Sequence, residues 1–447
     1  MKPEDIIQDI VQDIAFEVGS ECISKAAAST NKLGAVVGAI ATVGVLGVTG
    51  PIAVPLALVG GALAGARGEA ALKSTARGIK STVDNVAKGT SSVIGNAAKG
   101  FAGVLDLFKS SEDFVNRGLE RLENKQYQEA VEDFTQAIHI NSKYADAYFL
   151  RGCTYSDIGN YQQAIADYTC TIKIDSKYAA AYVNRGHILA IQEDCKGAVS
   201  DYTHSLKVEP NDADIYFRRG RMHLLLENIA DAVADYSQVI KLNPDCVEAY
   251  FIRGCLFSDL EDYKRAISDL TKVIKNTPHD TNAYLQRGNA RREIKDYQGA
   301  IEDFTQVIKI NPRDTVPFLS RGEAYTAIEN YESAVSDFNQ VIKINPDCID
   351  GYFSRGYVLN QKGDKRGALS NYNQVIKLDS EYINAYIQRG YIRKDKGEKK
   401  EAIVDLQKAI SLLYKESMLD EIRTLQAEIK NIRDEIKNTP WWQTRVF

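Results

Sequence analysis

The chain has 447 residues, too many for one compact core, so it is either several domains or an array of repeats. A formal net charge of −5 leaves no global basic footprint for nucleic acid. The 7 cysteines are scattered, with no Cys-x-x-Cys pair, which fits reduced thiols in a cytoplasmic compartment better than a disulfide framework.

Residues 1–32 read as an acidic amphipathic helix. Ile6, Ile7, Ile10, Val11 and Ile14 share one side, and Glu4, Asp5, Asp9, Asp13 and Glu17 share the other. Acids stand where a signal peptide has its basic n-region, so the segment does not read as one. An acidic helix has no attraction to anionic lipid. The expectation is self-association, or packing against the basic segment that follows residue 67.

Residues 33–66 change character abruptly. From Gly34 to Ala66 there is no charged side chain. As one helix this stretch would reach roughly 50 Å, more than one bilayer core. Thr49-Gly50-Pro51 supplies a turn near the middle, which predicts a glycine-rich hydrophobic hairpin. Its lipid-facing candidates are Val36, Val37, Ile40, Val45, Leu46, Ile52, Leu56 and Leu58. Gly34 and Gly38 have the GxxxG spacing that lets helices approach closely in lipid. A helical hairpin buried against protein is the competing reading.

Residues 67–110 repeat every 11 residues, at Arg77-Gly78, Lys88-Gly89 and Lys99-Gly100. Three helical turns of about 3.67 residues keep an apolar stripe on one side. Ile79, Val83, Ile94, Phe101, Leu105 and Phe108 lie on that stripe, with Lys80, Lys88, Lys99 and Lys109 beside it. This pattern resembles the 11-residue helices of synucleins and perilipin-like lipid-surface proteins. A basic amphipathic helix suits an anionic bilayer surface, and membrane lipid is therefore an expected partner. The alternative is a linker packed on the domain that follows.

From residue 111 to about 416 the chain is periodic. Arg-Gly recurs at an unbroken spacing of 34, from Arg117-Gly118 to Arg389-Gly390, in nine frames that start at Ser111, Ala145, Ala179, Ala213, Val247, Thr281, Thr315, Ile349 and Ile383. Position 4 is aromatic in all nine, position 8 is Gly, and position 20 is Ala. Position 24 is aromatic in seven, with Leu270 and Leu406 as exceptions, and position 32 is Pro in five. Small residues at 8 and 20 let two antiparallel helices approach, and rings at 4 and 24 fill the space between units. In this pattern the array resembles the tetratricopeptide repeat. The resemblance implies an all-α fold, a right-handed α-solenoid superhelix whose concave face takes a protein or peptide ligand.

One departure from the family pattern is systematic. Position 7, usually Leu, is Arg in every repeat, and position 23 is Asp in eight repeats and Asn371 in the other. An isolated charge on an inner face is costly, so the spacing predicts a ladder of Arg–Asp pairs. The alternative is a stripe of arginines that reads phosphate.

The resemblance places positions 2, 5, 6, 9, 12 and 13 of each first helix on the concave face. Phe149, Val183, Phe217, Phe251, Leu285 and Phe353 at position 5 form an apolar rib there. Asn184 and Arg218 at position 6, and Arg221, Asn289, Tyr357 and Tyr391 at position 9, complete the candidate partner contacts. The Lys and Asn pair with which chaperone-binding members clamp a C-terminal carboxylate is missing from every repeat, which disfavours a chaperone tail. Residues 417–447 close the chain. Met418, Ile422, Leu425, Ile429, Ile432 and Ile436 form a seam that reads either as a capping helix or as a short coiled coil giving a dimer. Trp441 and Trp442 follow the helix breaker Pro440.

No catalytic constellation is visible. The five histidines occupy different repeat positions with no metal-ligand spacing, and there is no phosphate-binding or dinucleotide loop. No enzyme activity, cofactor or metal is expected. The sequence points to an interaction scaffold at the cytoplasmic face of a membrane. A membrane-perturbing effector with the array as sensor, and a soluble co-chaperone or scaffold, are the other two readings.

Overall fold

The computed structural model describes residues 110–414 and 418–438. The expectations for residues 1–109 and for Trp441 and Trp442 lie outside the described residues. Two compact units meet in sequence between Asp245 and Cys246.

The first unit is four helix pairs: α1 (Ser111–Glu123), α2 (Tyr127–Ile140), α3 (Ala145–Asp157), α4 (Tyr161–Ile174), α5 (Ala179–Ile191), α6 (Cys195–Val208), α7 (Ala213–Leu225) and α8 (Ile229–Leu242). The second begins with α9 (Val247–Asp259), α10 (Tyr263–Asn276), α11 (Thr281–Glu293), α12 (Tyr297–Ile310), α13 (Val316–Ala327) and α14 (Tyr331–Ile344). It continues with α15 (Ile349–Gln361), α16 (Lys365–Leu378), α17 (Ile383–Asp395), α18 (Lys399–Leu413) and α19 (Leu419–Asn438). Every described element is a helix, as the resemblance implies. None of the described helices is long and apolar enough to cross a membrane.

Each pair is closed at repeat position 15, the one residue of the turn with a left-handed backbone. In the first repeat Lys125 has φ 58°, and the next residue's N–H, that of Gln126, donates to the Arg121 carbonyl at 2.8 Å. The Lys125 N–H reaches Leu122 at 2.9 Å, so the last carbonyls of α1 are satisfied. The following helix is often capped by a side chain at position 16. Asp194, Asp262, Asp296, Asn330 and Asp364 each accept from a backbone N–H in the first turn.

Packing within a pair is set by Gly at position 8. A Cβ on Gly288 would sit 2.6 Å from Phe304 Cε1, so the ring at position 24 fills the space a side chain would need. Every alanine at position 20 is fully buried. The contact is built from a missing side chain, a methyl group and a ring, which is why these three positions recur so strictly.

The C-terminal seam is occupied inside the chain. Ile422, Leu425, Ile429 and Ile432 are buried in one cluster with Leu406, Leu412 and Leu413 of α18. Lys394 pairs with Glu428 at 2.5 Å and Lys399 with Glu435 at 3.1 Å, tying α19 to the ninth repeat. Helix α19 is therefore the cap that a repeat array needs at its end.

Candidate functional site

The arginine at position 7 is a joint. In eight repeats the carboxylate at position 23 accepts from both Nε and Nη2, a bidentate fork. Arg151 lies 2.8 and 2.7 Å from Asp167, Arg253 lies 2.8 and 2.9 Å from Asp269, and Arg389 lies 2.9 and 2.6 Å from Asp405. Outside the first and fifth repeats the remaining nitrogen, Nη1, donates to residue 25 of the preceding repeat. Arg185 reaches Thr169 at 2.9 Å, Arg321 reaches Thr305 at 2.9 Å, and Arg389 reaches Asn373 at 2.7 Å. Each guanidinium also lies over the ring at position 4, as Arg117 does over Phe114 at 4.9 Å. One side chain thus fastens its own second helix to that of the repeat before it.

Electrostatics follow the geometry. The Asp201, Asp235 and Asp337 carboxylates raise the pKa values of Arg185, Arg219 and Arg321 against the opposing effect of burial. Arg355, whose partner is the neutral Asn371, is lowered by burial instead. The arginine stripe is committed to structure, as the matched acids predict, and it is not a phosphate reader.

The twelve candidate groove residues divide by depth. Phe149, Val183, Asn184 and Arg221 are buried; Phe217, Arg218, Phe251, Leu285, Asn289, Phe353 and Tyr391 are half-buried; Tyr357 is 41% exposed. The aromatic rings at position 5 also serve the core. Phe149 packs on Tyr168 and Tyr178 with ring centroids 5.8 and 4.9 Å apart, and Phe353 packs likewise on Tyr372 and Tyr382 at 5.6 and 5.3 Å. Phe217 meets Tyr236 edge-on at 5.4 Å. Arg218 is held by Asp214, one turn earlier on the same helix, at 2.8 Å.

In the second unit, α13, α14 and α15 enclose a cleft of about 190 Å³. Glu323 and Thr326 line it from α13, Phe338 from α14, and Phe353, Ser354, Tyr357 and Val358 from α15. Its lining is mostly apolar with three hydroxyl-bearing residues, Thr326, Ser354 and Tyr357, and the Glu323 carboxylate is already held by Arg292. Gln286 and Gln388 at position 6 and Asn289 at position 9 carry amides at the equivalent positions of other repeats in this unit.

In the first unit the polar groups of the wall are enclosed. Asn184 is 1% exposed; its Nδ2 donates to Cys153 Sγ at 3.5 Å, while its Oδ1 has no hydrogen-bond partner among the described residues. Both carboxylate oxygens of Asp157, one turn beyond Cys153, are likewise buried without a partner among the described residues. Burial raises its pKa to about 7. Neither orphan is legible in the sequence, because each depends on what its neighbours fail to supply. Among the described residues no cluster of three or more His, Cys, Asp or Glu is placed to hold a metal ion.

Family models described as tetratricopeptide repeat match residues 145–178, 213–246, 253–315, 318–348, 349–382 and 383–412, together about half of the chain. No curated protein matches. Among solved structures, the MamA protein is 23% identical over 38% of this chain and 92% of its own, with a TM-score of 0.37. A tetratricopeptide repeat protein from Parabacteroides merdae is 20% identical over 53% of this chain and 93% of its own, with a TM-score of 0.36. Naa15/Naa10 bound to HypK-THB is similar at 14% identity over 68% of this chain and 63% of that one, with a TM-score of 0.45.

Proposed function

Because the chain belongs to the tetratricopeptide repeat family, we propose that it is a non-catalytic scaffold that holds a segment of another protein in its concave face at the cytoplasmic side of a membrane. The observation that carries the first half is the cleft between α13 and α15. Phe353 and Tyr357 give it an apolar wall, and Ser354 and Thr326 give it hydroxyls, so it suits an apolar anchor on an extended chain. The half-buried Leu285 and Tyr391 carry equivalent positions in the neighbouring repeats of that unit. Tyr357→Asp places a charge on the exposed part of the cleft wall. It should abolish partner binding in cells while the helical melt of the chain is kept. Retained binding with an unaltered melt would remove the cleft from the proposal.

What supports the membrane half is sequence: the uncharged run from Gly34 to Ala66 and the basic 11-residue repeat after it. Flotation with anionic and neutral vesicles tests it. The full chain should rise with anionic vesicles, and reversing Lys80, Lys88 and Lys99 to Glu should reduce this. A chain that ignores both vesicles is a soluble scaffold, and dye leakage from the vesicles would mark a membrane-perturbing effector instead.

A further inference from the structure

The second unit sorts its charges by repeat position. At the inner positions 2, 5, 6, 9, 12 and 13 of its five repeats stand six acids and two cations, Arg292 and Lys394. At positions 26 and 29 of its second helices stand six lysines and no acid, and all six lysines are exposed. The lysines at position 29 suit the fold, because each lies in the last turn of its helix, where the dipole favours a cation. The inner acids do not. Asp259, Glu293 and Asp395 are the last residues of α9, α11 and α17, where the same dipole disfavours a carboxylate.

Both inner cations are already engaged. Lys394 is held by Glu428 of α19, and Arg292 serves two carboxylates at once, Glu323 of α13 and its own neighbour Glu293, the latter at 3.9 Å. Glu323 lines the cleft between α13 and α15, and its side chain is 50% exposed. Arg292 donates to its Oε2, and a carboxylate has room for more donors than that. Asp350, also exposed, stands one turn before Phe353 and Ser354 on α15 and brings a second carboxylate to the same side of the helix. The cleft thus joins a mostly apolar lining to acids that outnumber the cations beside them.

We propose that the segment held in this cleft is basic: it sets an apolar side chain against Phe353 and Tyr357 and a lysine or arginine on the Glu323 carboxylate. This partner chemistry rests on the reading of the cleft as the binding site. An exposed ion pair contributes little to affinity, so its effect falls on which segment is chosen and how fast it arrives. An acidic segment meets the same carboxylates and is repelled.

The test selects peptides from a random display library on the immobilised full chain, then measures the binding of single selected peptides in solution. These peptides should carry an apolar residue with Lys or Arg close by, and their binding should weaken as salt is raised. Tyr357→Ala should weaken it about tenfold, Glu323→Gln about threefold and Glu323→Lys at least about tenfold. Exchanging the peptide's base for Glu should recover binding to the Glu323→Lys chain, and Arg292→Gln, which releases Glu323, should strengthen the basic peptide. Glu323 and Tyr357 are both exposed, and a circular-dichroism melt checks that each variant is folded. Selected peptides that need Tyr357 but are acidic or uncharged, or that ignore Glu323→Lys, overturn the basic partner and leave the cleft standing. Loss of the basic peptide on Arg292→Gln overturns it too, because the arginine would then be the contact. Peptides indifferent to Tyr357→Ala, or no selection above the bare support, remove the cleft itself. Differently tagged copies of the chain that bind one another and part on Glu323→Lys would make a second copy the occupant and overturn the proposal.

Discussion

Asn371→Asp should stabilise the eighth repeat. Arg355 donates from Nε to Asn371 Oδ1 at 2.8 Å and from Nη1 to Asn339 at 2.6 Å, but nothing among the described residues accepts from Nη2 as a carboxylate does in the other eight repeats. The substitution completes the fork with a charge-assisted hydrogen bond worth about 1.5–3 kcal/mol. Against that, the Asn371 Nδ2 bond to the Gly367 carbonyl at 2.8 Å is lost, at about 1 kcal/mol, and a carboxylate is buried. The net gain is about 1 kcal/mol, or roughly fivefold in a local opening equilibrium. Long arrays do not unfold as one cooperative unit, so a single melting temperature is the wrong readout. Amide hydrogen exchange resolved to α15 and α16 is the right one, and protection there should rise about fivefold at neutral pH. The gain should vanish once acid protonates the new carboxylate, because the neutral acid cannot form the charge-assisted fork. Unchanged or weaker protection would refute the reading of the ladder as a joint.

Other consequences can be checked alongside. Gly288→Ala forces a methyl group to 2.6 Å from the Phe304 ring and should cost about 1–3 kcal/mol; Gly220→Ala, with its nearest atom at 3.3 Å, should cost less, and local hydrogen exchange would rank the two. Leu425→Ala should loosen α18 and α19 by about 2–4 kcal/mol, visible as faster exchange confined to that end. Burial pushes the Cys255 thiol up to about 12, so Cys255 should resist maleimide near neutral pH in the folded chain and react once it is unfolded. Asp157 gives a pH signature. Left without a cation, its folded pKa of about 7 stands above the unfolded value, so stability is full below about pH 4 and lost as pH rises through 7. Tyr127 also feels this carboxylate.

Much of this architecture is written in the period. Gly at 8, Ala at 20 and a ring at 24 each name their own packing role, and the 16-residue offset of Arg from Asp predicts the pair that forms. The third partner of the arginine was hidden. Thr169 and Thr305 read as ordinary polar surface until the second helix of one repeat is placed beside the first helix of the next. The left-handed turn residue was hidden too, because Lys125, Glu193, Glu227, Glu261, Lys295 and Glu329 occupy it without being glycine. The unbroken spacing gives no hint of the division at Asp245 and Cys246, which arises from how helices cluster rather than from any residue type. In the groove, the sequence assigns a helical face but not a depth. Phe149 and Tyr357 share that face, yet one is core and the other is surface.

The concave face as the partner site is most directly tested by photo-crosslinking in cells, with the probe at Leu285, Phe353 or Tyr391 on the inner wall and at Lys309 or Lys343 on the second helices. Adducts to one and the same partner protein, identified by mass spectrometry at the inner positions and absent at the outer ones, is the predicted result. Adducts at Lys309 and Lys343 with none on the inner wall would contradict it.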